Sequence, residues 1–150
     1  RLDLLRVIEF LPETSTYVTK AKDYLAKLKG LERARDARVL YERRSDGLRL
    51  SLKREDWRSA KGWADQLGSD LGAGGADWIR KEIAALDASL GLFEQAEQAL
   101  LRNERTGRER SLDVFQLLGE WLPRGHPHRE PSLERARELT KNSRASKRER

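Results

Sequence analysis

Cysteine is absent from all 150 residues, which excludes disulfides, thiolate metal ligands and cysteine nucleophiles. A reducing, cytoplasmic compartment is the expectation that fits this absence. No apolar run approaches the roughly 18 residues needed to span a bilayer, and the opening Arg1-Leu2-Asp3-Leu4-Leu5 lacks the shape of a signal peptide. No membrane partner is expected. Methionine is missing too, even at position 1, so a trimmed or processed start is expected. Histidine occurs only twice, which leaves histidine-based triads two candidates. Carboxylates are plentiful, but they alternate with arginine as on solvated helix faces, and no acid–base pair stands out. The sequence is therefore read as a non-enzyme that needs no cofactor.

What is present is charge and helix periodicity. Charged residues make up 37% of the chain, as do apolar ones, and the net charge is +6. Seven basic against three acidic residues from Ser132 to Arg150 give that stretch a net +4. Its high pI thus reflects one end more than a basic body. Residues 1–131 are expected to form a helical domain, and residues 132–150 a basic, partly disordered tail. Four tryptophans supply large anchors for a core.

Leu2 to Leu11 reads as a short apolar helix ended by Pro12. A second helix runs from Ser15 to Lys29, with Tyr17, Val18, Ala21, Tyr24, Leu25 and Leu28 in one stripe and Gly30 as its stop. Leu48-Leu50-Leu52 alternates with polar residues after Asp46-Gly47, a strong hairpin turn. One β-hairpin near 38–52 is therefore predicted. Helix returns from Glu55 to Leu67, followed by a glycine-rich loop from Gly68 to Gly75. Asp77 to Leu90 and Phe93 to Leu101 form a helical pair about Gly91, and Leu112 to Leu122 another apolar helix. The fold class is mainly α, a compact bundle or stacked hairpins. The apolar segments Leu2–Leu11 and Leu112–Leu122 are expected to be buried, or else to dock a partner protein or a second copy.

Two motifs invite chemistry and are read plainly. Gly72-Ala73-Gly74-Gly75 lacks the lysine and hydroxyl of a phosphate loop, and Asp77 puts negative charge there instead. His126-Pro127-His128-Arg129-Glu130 offers two histidines and a carboxylate. With no further ligand identified, a solvated loop is preferred and no metal is assigned.

Two resemblances add direction. Ile83 to Leu101, with Leu90-Gly91, Phe93, Ala96, Ala99 and Leu100, resembles a tetratricopeptide-type helical hairpin within residues 77–101. It implies a protein-interaction adaptor, in which Trp78 and Phe93 brace the packing. Residues 4–52 resemble a winged helix-turn-helix: helix, turn at Leu11 to Thr14, second helix, then the Asp46-Gly47 hairpin as wing. That resemblance implies that the second helix enters a DNA groove, with Thr16, Thr19 and Lys20 near it. The leading expectation is a non-catalytic module that contacts DNA or RNA phosphates. Lys20, Lys27, Arg43, Arg44 and Arg49 would carry the contact, aided by Arg144, Lys147 and Arg148. The adaptor is the alternative.

Overall fold

The computed structural model describes residues 2–149, with residues 73–75 given by their backbone. Arg1 and Arg150 lie outside the described residues. Seven α-helices follow in order among them: α1 Leu2–Phe10, α2 Thr16–Lys53, α3 Trp57–Gly75, α4 Asp77–Leu90, α5 Leu92–Leu101, α6 Arg105–Trp121 and α7 Arg129–Arg148. No described helix is long and apolar enough to cross a membrane. The chain divides into two compact units, residues 1–43 and 44–150.

The predicted hairpin at 38–52 is not formed; the whole segment belongs to α2. Leu48 and Leu52 sit one helical turn apart and are both buried, with Ser45 and Ser51 beside them, whereas Leu50 is left exposed. The apparent strand alternation thus resolves into an i, i+4 pair. Gly47, read as a turn residue, lies where a Cβ would come within 2.6 Å of the Trp63 ring. It is glycine to admit an indole, not to reverse the chain. The wing that the helix-turn-helix resemblance required is accordingly helical. Gly30 does not stop the helix either. It lies in open space inside α2, where glycine costs about 1 kcal/mol of helix propensity, too little to break a helix of 38 residues.

In the unit of residues 1–43, α2 starts at Ser15, whose Oγ accepts the Tyr17 amide at 3.3 Å and whose carbonyl accepts the amides of Val18 and Thr19. This is the N-cap role that serine suits. Val18 and Ala21 are buried, but α1 buries no residue, and Leu2 and Phe10 are about three-quarters exposed. Of the two apolar segments expected to be buried, this one is not.

The other is. In the unit of residues 44–150, α6 is the central helix and packs against α3, α4, α5 and α7. It buries Ser111, Val114, Phe115, Leu117, Leu118, Gly119 and Trp121. The Ser111 hydroxyl donates to the Ala96 carbonyl at 2.9 Å, and Phe115 meets Phe93 edge to face at 5.7 Å. Trp121 donates its Nε1–H to Asp65 at 2.9 Å, while Arg80 lies over its ring and donates to the carbonyls of Glu120 and Leu122. Those two bonds satisfy carbonyls that the end of α6 would leave bare. The stretch from Gly68 to Gly75 is not wholly a loop: α3 continues through it, interrupted at Gly72, whose φ of 71° only glycine adopts readily. Residues 129–148 are helical, and Ser132 and Ala136 of α7 are buried against the core.

Candidate functional site

The residues expected to meet phosphate fall in both units: Thr16, Thr19, Lys20, Lys27 and Arg43 in residues 1–43, and Arg44, Arg49, Arg144, Lys147 and Arg148 in residues 44–150. Thr16, Thr19, Lys20 and Lys27 are exposed on α2, and at about 100° per residue they share an arc of roughly 100° that also holds Asp23. Arg43 is exposed too, but it projects about 140° from Lys20 around the same helix. Arg44 is spent in an ion pair with Asp70, and Arg49 lies 5.2 Å over the Trp78 ring with its Nε 3.9 Å from Glu82. These two arginines brace helices. Arg144, Lys147 and Arg148 are exposed along the last turns of α7.

A different pattern emerges on α2. Every residue from Ala26 to Arg43 is exposed, an unusual state for a helix that carries large apolar side chains. Tyr17, Tyr24, Leu28 and Leu31 are 68%, 59%, 38% and 68% exposed. Their spacing of seven, four and three residues sets them within about a 60° arc, a stripe roughly 21 Å long. This is a coiled-coil seam spacing. Lys20 and Lys27 border the stripe on one side, and the buried Val18 and Ala21 on the other. Residues 16–43 hold eight basic and four acidic side chains, so the stripe lies in a positive setting. Tyr17, Tyr24 and Leu28 were visible in the sequence as part of an amphipathic stripe, but Leu31, beyond the expected stop at Gly30, was not. The exposure of all four was not legible, because periodicity marks an apolar face without saying what covers it.

The second constellation lies in the unit of residues 44–150. His128, just ahead of α7, places Nδ1 2.6 Å from Oδ2 of Asp87 on α4. Asp87 is almost wholly buried, and its Oδ1 accepts the Phe93 amide at 3.1 Å. The Phe93 ring stacks on the His128 ring at 4.5 Å and 13°, and His128 Nε2 lies 3.5 Å from Glu94. His126 accepts the His128 amide at its Nδ1, 3.1 Å away, and sets its ring 5.4 Å from that of His128. One ligand atom each from Asp87, His126 and His128 lie within 4.8 Å of one another. The His-x-His motif was legible in the sequence, but its carboxylate was not. Glu130, the local candidate, is not in the cluster, whereas Asp87 arrives from 39 residues upstream of His126. Asp87 interrupts the apolar face of α4 between Ile83 and Leu90, and that buried-face position was its only sequence signal.

Two ionisable side chains of α3 and α6 are electrostatically shifted. Burial raises the Asp113 carboxyl above its ordinary value despite Arg58 alongside. The Lys61 ammonium is raised, since bonds to Asp65 and Glu120 outweigh its burial. Asp113 lies on α6 and Lys61 on α3, where Lys61 bridges Asp65 of α3 and Glu120 of α6. No family model, no curated protein and no solved structure matches this chain.

Proposed function

We propose that this chain is a helical docking module that binds an acidic amphipathic helix of a partner protein along α2. The observation that carries this reading is the exposed stripe of Tyr17, Tyr24, Leu28 and Leu31 with Lys20 and Lys27 at its border. Exposed apolar rows of this kind are what helix-in-groove and coiled-coil partners cover. Tyrosine is favoured at such contacts because its large ring loses little rotamer freedom. A basic border favours a partner with glutamates or aspartates flanking its apolar row, and disfavours a second copy with the same lysines. The adaptor reading thereby rests on α2 rather than on the α4–α5 hairpin.

Phosphate contact is the second reading. The exposure of Lys20, Lys27, Arg43, Arg144, Lys147 and Arg148 favours it. Aspartate at position 23, within the Thr16–Lys27 arc, speaks against it.

The test uses a labelled synthetic helix with leucine at a and d and glutamate at e and g, beside a lysine-flanked twin. The glutamate peptide is expected to bind the full chain more tightly than its twin. Tyr24→Ala or Leu31→Ala should each weaken it about tenfold, the effect of losing roughly 1.4 kcal/mol of apolar burial. Both side chains are exposed, so the variants keep their fold. Equal binding of the two peptides, or binding unchanged in both variants, would overturn the reading. So would concentration-dependent dimerisation lost in Tyr24→Ala, which assigns the stripe to a second copy. Duplex DNA binding with a steep salt slope, lost on Lys20→Ala/Lys27→Ala while the peptide fails, transfers the function to phosphate contact.

A further inference from the structure

We propose that Asp87, His126 and His128 form a binding site for a zinc-type divalent ion, held between the C-terminal turn of α4 and the loop that precedes α7. The donor set is two imidazoles and one carboxylate, and no thiolate is needed. Zinc accepts this combination with a water in the fourth position.

Three features distinguish the cluster from a loop histidine that happens to touch an acid. First, Asp87 and His128 are each oriented by a neighbour. The Phe93 amide fixes Oδ1 of Asp87 and leaves Oδ2 toward His128. Stacking on Phe93 fixes the plane of the His128 ring. Glu94 lies 3.5 Å from His128 Nε2, so an ion at Nδ1 would leave Nε2–H facing a carboxylate. That is the outer partner which metal-bound histidines usually have.

Second, the Asp87 side chain is 2% exposed, and among the described residues its ionisable partner is His128. A buried carboxylate is costly unless its charge is met, and a divalent ion meets it more fully than one shared proton. Third, His126 has no part in the Asp87–His128 hydrogen bond, yet its ring stands beside the pair.

The ligand atoms are spread over up to 4.8 Å, and a tetrahedral zinc site would draw them to about 3.4 Å apart. The loop can supply that closure. It carries Gly125 at φ 85° with open space around it, and His126 and His128 are both partly open to solvent. Binding requires the proton shared with Asp87 Oδ2 to leave His128 Nδ1, to Nε2 in a neutral ring or to solvent from an imidazolium. His126 exchanges its backbone hydrogen bond for the ion or presents its other nitrogen, and protons compete with the ion for both rings. Affinity must therefore fall as pH falls.

The experiment is calorimetric titration of the untagged, chelator-treated full chain with zinc chloride, repeated with cobalt to read its tetrahedral absorption bands. One ion per chain is expected, with at least tenfold weaker binding in His126→Ala and in Asp87→Asn, and weaker binding at pH 5.5 than at pH 7.5. Asn keeps an oxygen for the Phe93 amide, so Asp87→Asn preserves the local fold, which circular dichroism checks. Zinc should also raise the melting temperature of the native chain and not of the His126→Ala/His128→Ala double variant. Absence of binding, affinity equal in the native chain and the double variant, or a melting temperature unmoved by zinc would overturn the proposal. In the last case Asp87–His128 is a structural link alone.

Discussion

Two glycines six residues apart on α3 should respond to the same substitution with opposite signs. Gly62 faces open space, with nothing within 4 Å of an added Cβ, whereas a Cβ on Gly68 would overlap the six-membered ring of Trp121. Gly62→Ala therefore gains the helix propensity of alanine, up to about 1 kcal/mol, partly through a less flexible unfolded chain. Gly68→Ala gains the same amount and loses more. The Trp121 ring is 7% exposed and cannot move freely, because Asp65 accepts its Nε1–H at 2.9 Å and Arg80 lies over its face. Overpacking costs about 1–3 kcal/mol, and displacing the indole also forfeits a hydrogen bond to a charged acceptor, about 1.5–3 kcal/mol. A net destabilisation of about 1.5–5 kcal/mol follows for Gly68→Ala. Urea unfolding followed by tryptophan fluorescence measures both variants on one scale, since Trp57, Trp63, Trp78 and Trp121 all belong to the unit of residues 44–150. If Gly68→Ala proves as stable as Gly62→Ala, the close approach of α3 and α6 at this point is wrong.

Phe115 is fully buried in α6 and meets Phe93 edge to face; Phe115→Ala should cost about 3–5 kcal/mol in the same assay. Asp113 carries the opposite expectation. Its folded pKa is raised by burial, so the folded state holds its proton more tightly than the unfolded chain does. Its ionisation thus opposes folding above that raised value, and the penalty vanishes at pH below the unfolded carboxylate value. Asp113→Asn should therefore be stabilising or neutral at pH 7 relative to its effect at pH 3, measured by urea midpoints. A variant that is more destabilising at pH 7 than at pH 3 would show that Arg58 dominates instead.

How much of this could be read in advance differs by element. The helices α4 and α5 were legible because each has an apolar face and a clear boundary at Gly91, in the left-handed region between them. Helix α6, read from Leu112, begins seven residues earlier at Arg105, because its first two turns are too charged to show an apolar face. Helix α2 was legible only in its first part, Ser15 to Lys29, because no single stripe runs its length. Val18, Ala21 and Leu25 share one face of its first half, while Leu48 and Leu52 occupy a different face near its end. A period measured across residues 31–52 blurs, and Asp46-Gly47 then resembles a turn.

The sequence by itself determined helical character, the absence of cysteine chemistry, a basic balance and the His-x-His pair. Each of these depends on residue type or on spacing within about one helical turn. Tertiary structure alone decided that Gly47 and Gly68 make room for indoles, that Arg44 and Arg49 brace helices, and that α1 and the Tyr17–Leu31 stripe are exposed. It also brought Asp87 to His128 across 41 residues. These outcomes depend on which surfaces meet, and a local pattern specifies a face without specifying its neighbour.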